Sequence, residues 1–234
     1  MARISMPLPD QQGMRFVKHY IKNNDECLLI VKRRSEVPFS IIDSVFTRYG
    51  LPLELKYLAV IESELKTSAV SRVGAKGPWQ LMPGTAHELG LKVNRHSDER
   101  VNYYKSTRAA AKYLRDLHRE FGDWLLVLAA YNGGPLPVIR AIHKSHSRNF
   151  WTLQRYLPAE SRDHVKKFIA TAWYFEGADT TTRPQSLPTA SNLPNRLTPD
   201  NKPQTTPESA DEKFNRLMRE SANSLRTSHE LLTL

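Results

Sequence analysis

Cysteine is nearly absent from this sequence of 234 residues, because Cys27 is the single one. One thiol cannot form an internal disulfide or a cysteine-based metal site. No run of 18 apolar residues occurs, so the sequence predicts no membrane span. Glycine is scarce within the long periodic segments and strand-like alternation is weak. These absences exclude a disulfide-stapled scaffold and favour helices.

The residues that are present are enough for one folded domain. Apolar residues make up 40% of the chain and aromatic residues 9%, which can supply a core for about 150 to 200 residues. Hydrophobic periodicity predicts a mostly α-helical domain with irregular connections. The predicted helices lie near residues 11–23, 39–49, 52–66, 106–120, 124–131, 135–146 and 158–176. The segment WLLVLAAY, which Asp123 can cap, is apolar on all faces and is predicted to be the buried central helix.

The positive charge is concentrated in the first three quarters of the chain. Formal net charge is +10, yet the segment from Ala178 onward holds seven Lys or Arg and seven Asp or Glu residues. All of the excess therefore belongs to residues 1–177. A basic body is typical of proteins that bind nucleic acid, anionic lipid or acidic polysaccharide, and equally of a merely soluble basic surface.

Composition divides the chain into four predicted parts. Residues 180–207 contain six prolines among Thr, Ser, Asn and Gln, which indicates a linker or disordered segment. Beyond it, Ser209 and Glu212 have capping-box spacing before an amphipathic stripe. We therefore predict an N-terminal helical segment at 1–50 that packs on a catalytic domain at 51–177, a linker at 178–208 and a C-terminal amphipathic helix at 209–234.

A carboxylate lies within the otherwise apolar stretch YLAVIESELK, residues 57–66. At 100° per residue, Glu62 shares a helix face with Leu55 and Leu58, whereas Glu64 lies about 160° away. Burial disfavours the charged form of a carboxyl group, and a protonated carboxyl group is what general-acid catalysis requires. Glu62 is therefore the candidate catalytic acid, although a glutamate that reaches the surface or pairs with an arginine is the commoner case.

The segment that follows is rich in glycine and proline. GAKGPWQLMPGTA, residues 74–86, cannot form a regular helix throughout, and its glycines allow close backbone approach to a ligand. Trp79 has an apolar face, and Gln80 has both a donor and an acceptor. We expect these two side chains to hold a sugar with its N-acetyl group.

Three ordered motifs make the sequence recognisable. Glu62-Ser63, Ser71 with GAKGPWQLMPGTA, and AAYNGG at 129–134 resemble the catalytic motifs of the family 1 lytic transglycosylases (SLT domain), with the closest likeness to the membrane-bound lytic murein transglycosylase D group. The resemblance runs from about Leu51 to Phe175. It implies a lysozyme-like helical fold and cleavage of the β-1,4 bond between N-acetylmuramic acid and N-acetylglucosamine in peptidoglycan, leaving 1,6-anhydromuramyl ends.

The resemblance also implies roles for individual residues. Glu62 would protonate the leaving glycosidic oxygen and then take the proton of the C6 hydroxyl, while the substrate's acetamido group stabilises the developing charge. Ser63, Ser71, Gln80, Met82, Tyr131 and Asn132 would contact the substrate or support the site. The implied chemistry uses no metal and no organic cofactor.

One position departs from the family pattern. Related sequences carry a tyrosine where the stretch ESRDHV places His164. The imidazole can donate a hydrogen bond toward Glu62, but a cationic ring would oppose proton donation. His164 is therefore either a substrate-site residue or a partly buried structural histidine.

The resemblance implies peptidoglycan strands as the partner. A nucleic-acid partner is not expected, because the sequence has no recognisable groove-reading motif. It also implies a location in the bacterial periplasm or cell envelope, with possible peripheral association. The start, MARISMPLPDQQGM, lacks the apolar core of a secretion signal, so we expect that an export signal has been removed. Two alternatives remain open: a lysozyme-type muramidase that hydrolyses the same bond, and a catalytically impaired peptidoglycan-binding envelope protein.

Overall fold

The computed structural model describes Ile4 and residues 11–177, and over these residues it is built from helices without β-strands. The helices are α1 (Gln11–Arg34), α2 (Glu36–Tyr49), α3 (Lys56–Ser63), α4 (Pro83–Glu88), α5 (Tyr103–Phe121), α6 (Trp124–Gly133), α7 (Pro135–Ser145), α8 (Phe150–Leu153) and α9 (Ala159–Glu176). Short 3₁₀ turns lie at Leu53–Leu55, Glu99–Val101 and Gln154–Tyr156. The predicted mostly helical class is confirmed, whereas the predicted linker and C-terminal helix lie outside the described residues.

The centre of the domain is α6. The side chains from Leu125 to Ala130 are all buried, and α5, α7 and α9 pack around the helix. Asp123 accepts a hydrogen bond from the backbone N–H of Leu126, at 3.0 Å, and so caps the first turn. Both the predicted cap and the predicted burial are confirmed.

Helices α1 and α9 lie side by side and run in the same direction. Near their N-terminal ends the Lys166 ammonium lies over the Phe16 ring, 5.5 Å from its centroid. Near their C-terminal ends Lys32 donates to the Phe175 carbonyl at 3.2 Å. The prediction ended α1 near residue 23, eleven residues too early, because Asn and Asp are weak helix formers. Packing of Leu28 and Val31 in the core overrides that preference.

The end of α3 is a correction to the prediction of a helix over 52–66. The helix ends at Ser63, and Glu64 and Leu65 both have left-handed backbones, with φ of 54° and 64°. Their N–H groups donate to the carbonyls of Val60 and Ala59, which closes the last turn. The cost of this conformation is of the order of 1 kcal/mol per residue, and burial of the Leu65 side chain offsets it.

The other boundary signals agree with the prediction. Gly50 ends α2 with φ of 66°, and Gly90 follows α4 with φ of 85°. None of the described helices is both long and apolar enough to cross a bilayer.

Candidate active site

Glu62 is the penultimate residue of α3, and its side chain is only 16% exposed. The helix lies against α9, with Leu58 and Ala59 buried on the preceding turn. Glu64 is directed elsewhere, because Lys66 contacts its carboxylate at 2.7 Å and Arg34 at 3.5 Å. Those cations, Lys66 first, lower the pKa of Glu64. The two carboxylates therefore have separate environments, as predicted.

His164 on α9 contacts the Glu62 carboxyl group directly. Its Nε2 atom lies 2.9 Å from Oε1 of Glu62, and the ring is buried. Its Nδ1 atom is also buried and has no hydrogen-bond partner among the described residues. A neutral ring protonated on Nδ1 would therefore bury an N–H group that has no partner among the described residues, which is costly. Of the two neutral tautomers, the one with its proton on Nε2 donates to Oε1 of Glu62 and avoids this cost.

The loop that follows α3 is anchored to this helix by Ser63. The Ser63 hydroxyl is buried and donates to the carbonyls of Ala59, at 3.2 Å, and Pro78, at 2.9 Å. Ser71 stabilises the turn over residues 71–75, because its Oγ accepts from the backbone N–H of Ala75 at 3.0 Å. In this arrangement both hydroxyl groups support the loop, and direct substrate contact by either serine stays a prediction.

Trp79 does not have the role expected for it. Its indole is fully buried between core residues, packs against Phe46 and donates through Nε1 to Thr107 at 2.9 Å. Because the loop is fixed to the core by this large apolar ring, the ring has no surface left for a ligand. The expectation that Trp79 holds a sugar was wrong. The neighbouring Gln80 is only half-buried.

Gln80 has a left-handed backbone, with φ of 45°. Its amide nitrogen donates to the carbonyls of Gly77, at 2.9 Å, and Ala69, at 3.2 Å. The amide oxygen is then the part of this side chain left to accept a hydrogen bond from a ligand. Met82, two residues on, is 42% exposed, which is consistent with a surface that contacts an extended ligand.

The end of α6 contacts the same loop. The Tyr131 hydroxyl donates to the Trp79 carbonyl at 2.7 Å. Burial and the nearby Glu62 raise the pKa of Tyr131 well above its usual value, so it remains a neutral donor. Asn132 accepts a hydrogen bond from the Ser161 hydroxyl of α9 at 3.0 Å. The structure thus brings the predicted residues of the three motifs and His164 into one cluster.

An ion-pair clamp beneath the loop was not predicted. Arg100 is buried and donates to both carboxylate oxygens of Asp98, at 2.9 and 2.8 Å. The same guanidinium donates to the carbonyls of Gly74, at 2.8 Å, and Leu81, at 3.0 Å. Lys76 adds a second ion pair to Asp98 at 3.1 Å. The sequence offered one signal for this clamp, the Asp-x-Arg spacing of Asp98 and Arg100. That spacing alone does not distinguish a buried ion pair from two charged side chains in solvent.

Comparison with known proteins gives concordant matches. Residues 42–154 match the family model of the transglycosylase SLT domain. The membrane-bound lytic murein transglycosylase D of Escherichia coli K12 is 34% identical over 172 residues, which are 71% of this chain and 38% of that protein. The chain thus spans well under half the length of this relative.

Solved structures of lytic transglycosylases are also similar to this chain. The 70 kDa soluble lytic transglycosylase SLT70 of Escherichia coli superposes with a TM-score of 0.51 and 26% identity, over 59% of this chain and 25% of that one. An inactive mutant of the lytic transglycosylase Slt from Pseudomonas aeruginosa gives 0.51 and 25%, over 58% and 23%. The resemblance stated from the motifs and the predicted lysozyme-like fold are confirmed.

Proposed function

We propose that this chain, which carries a transglycosylase SLT domain at residues 42–154, is a peptidoglycan lytic transglycosylase. It cleaves the bond between N-acetylmuramic acid and N-acetylglucosamine and forms 1,6-anhydromuramyl ends. The single observation that carries the proposal is the contact of 2.9 Å between a mostly buried glutamate, Glu62, and His164, inside a cluster built from three family motifs. We place the catalytic domain at 51–177, because α9 contributes His164.

Because of this contact, the two oxygen atoms of the Glu62 carboxyl group have different roles. His164 donates to Oε1, so the acidic proton resides on Oε2. Oε2 transfers it to the glycosidic oxygen as the bond to C1 breaks, and the substrate's acetamido group stabilises the charge that develops at C1. The resulting carboxylate then accepts the proton of the C6 hydroxyl as that oxygen bonds to C1. One carboxyl group performs both transfers, a variant of the usual two-carboxylate pattern.

His164 has the position in which the family carries a tyrosine. A neutral imidazole with its proton on Nε2 and a phenol both offer one donor to Oε1, so the replacement preserves the hydrogen bond without adding a positive charge. We assign His164 as a positioning residue for Glu62. The amide oxygen of Gln80 and the exposed Met82 are the groups that we expect to contact the bound glycan.

Location and partner are part of the same proposal. The relative with 34% identity is named as membrane-bound, and the basic body suits the carboxylates of peptidoglycan. We therefore place the protein at the bacterial cell envelope, in the periplasm and with peripheral association.

The test is digestion of purified peptidoglycan followed by mass spectrometry of the products. We expect anhydromuramyl ends, which lack the mass of one water, whereas reducing ends would indicate the muramidase alternative. Glu62→Gln should abolish product formation and retain glycan binding, whereas Glu64→Gln, the matched control two residues on, should retain activity. Equal activity of Glu62→Gln and the parent would remove the basis of the proposal.

A further inference from the structure

A cavity separate from the catalytic cluster borders α9 on the side away from Glu62. Its volume is about 720 Å³, and its walls come from the first turns of α1, from α8 with the following 3₁₀ turn, and from α9. Cavities of this size are typical of sites for small ligands or short peptides. None of the residues placed in the catalytic cluster lines it.

The cavity is rich in positive charge that is poorly neutralised. Arg155, Arg162 and Lys166 line it together with one carboxylate, Asp163. Arg162 is half-buried and forms no ion pair with any described residue. The Lys166 side chain is only 15% exposed, and its ammonium lies 3.8 Å from Asp163, which is a long contact for an ion pair. Arg155 is exposed, whereas Arg162 and Lys166 are partly buried without a close carboxylate among the described residues. Partly buried cations of this kind favour an anionic ligand.

The remaining walls restrict what that anion can be. Phe16 and Trp151 supply aromatic faces, and Gln12 and Gln154 supply neutral amides. Asp163 would repel a ligand with several phosphate charges but can accept a hydrogen bond from an amide N–H. Arginine forks match the planar geometry of a carboxylate. This combination suits a peptide that carries carboxylates, better than a polyphosphate or a lipid headgroup.

The position of the cavity relative to Glu62 connects it with the substrate. Arg162 and Lys166 are each two positions from His164, so they lie about 160° away from it around α9, whereas the His164 ring contacts Glu62. The two sites are therefore separated by about the width of one helix, roughly 10 Å. In peptidoglycan a peptide is attached to the muramic sugar, so a strand whose glycan occupies the catalytic cluster carries its peptide close to this cavity.

We propose that this cavity binds the carboxylate-bearing peptide stem of the glycan strand. The proposal rests on the function proposed above and names a part of the substrate that the catalytic motifs do not address. Arg155 and Arg162 bind stem carboxylates, and the aromatic walls pack against the peptide.

The first experiment measures binding without turnover. A synthetic stem peptide with a free C-terminal carboxylate is titrated into the Glu62→Gln protein and followed by the indole resonance of Trp151. We expect the amidated peptide to bind about tenfold more weakly, and inorganic phosphate not to compete. Undetectable binding of the peptide, or competition by phosphate at equal strength, would overturn the proposal even if the protein cleaves glycan.

The second experiment uses kinetics with a matched control. Arg155→Gln/Arg162→Gln removes two cations from the cavity, whereas Lys92→Gln/Lys112→Gln removes two from a smaller cavity of about 300 Å³ near α4 and α5. The first variant should raise KM about tenfold on peptide-bearing strands, leave kcat unchanged, and match the parent on strands stripped of peptide.

Arg155→Lys/Arg162→Lys keeps the charge but loses the planar fork, so it should recover only part of the affinity, and circular dichroism checks that each variant is folded. Equal KM values for the two Gln variants on both substrates would contradict the assignment. Absence of activity in the parent would instead count against the proposed function, and the peptide titration would still report on the cavity.

Discussion

The α-carbon of Gly77 faces the carbonyl oxygen of Arg100 so closely that a β-carbon there would lie far inside van der Waals contact. Gly77 also has φ of 82°, which other residues rarely adopt. The loop that carries Trp79 and Gln80 therefore approaches the clamp at a point where only glycine fits. Because the blocking atoms are backbone, a side-chain rearrangement cannot relieve the contact.

Gly77→Ala should lower the free energy of unfolding by about 2–4 kcal/mol, the sum of the backbone strain and the overpacking. Chemical denaturation measures this. Gly90→Ala is the matched control, because Gly90 has φ of 85° and open space around it, and it should cost only about 1 kcal/mol. Similar losses in the two variants would show that the close approach to Arg100 contributes nothing.

His164→Phe should reduce kcat about 10- to 100-fold with little change in KM, because it leaves Oε1 of Glu62 without its donor, at a cost of about 1–3 kcal/mol. Steady-state kinetics on peptidoglycan fragments measures both constants. His164→Tyr restores a donor and should recover most of kcat. His118→Phe, which preserves a stacked ring against Trp124, should behave as the parent. Parent-like kcat in His164→Phe would leave His164 as a structural residue.

Acid should weaken the fold through the clamp. The hydrogen bonds from Arg100, followed by those from Lys76, hold the pKa of Asp98 well below its usual value near 4. Its carboxylate therefore stabilises the folded state fully above that usual value, and the contribution is lost as the pH falls through the folded-state pKa. We expect the free energy of unfolding to decline from about pH 5 to pH 2.

Asp98→Asn should flatten this decline and cost about 3 kcal/mol at neutral pH, as expected when one partner of a largely buried ion pair is removed. Denaturant titrations over this pH range measure both effects. Asp116→Asn, which removes an exposed partner of Arg119, should cost less than about 1 kcal/mol. If the free energy of unfolding of Asp98→Asn and of the parent fell equally with pH, the assignment of this pH dependence to Asp98 would be refuted.

Tyr131→Phe tests the link between α6 and the loop. Without the hydroxyl, the Trp79 carbonyl loses its donor, and we expect a loss of about 1–3 kcal/mol in stability together with reduced activity. Tyr113→Phe is the control, because its ring packs against Tyr131 and its hydroxyl makes no hydrogen bond with the described residues. Thermal unfolding and kinetics should separate the two variants, and indistinguishable results would contradict this link.

Local patterns were sufficient to predict most helices and the separate, mostly buried environment of Glu62. Asp123 caps the start of α6 and Gly50 ends α2, and both contact only the backbone of the adjacent helical turn. Their roles can therefore be deduced from neighbouring residues in the sequence. Glu62 could be selected as the candidate acid because its apolar neighbours and the two later motifs point to the same site.

Features that depend on distant residues were missed. The C-terminal half of α1 is stabilised by packing in the core, and the early end of α3 depends on the burial of Leu65. Trp79 is anchored by Thr107, 28 positions later, and Arg100 binds carbonyls 19 and 26 positions earlier. Hydrophobic periodicity carries no information about such contacts. The tautomer of His164 likewise follows only from the unpaired Nδ1 atom.

The parallel packing of α1 and α9 has a mechanical consequence. A pull applied between Gln11 and Glu176 would load this pair lengthwise, so that the two rods must slide past one another before they separate. Two contacts resist that sliding: the hydrogen bond from Lys32 to the Phe175 carbonyl, and the Lys166 ammonium over the Phe16 ring. The pair therefore resists tension along the same helix that holds His164 against Glu62.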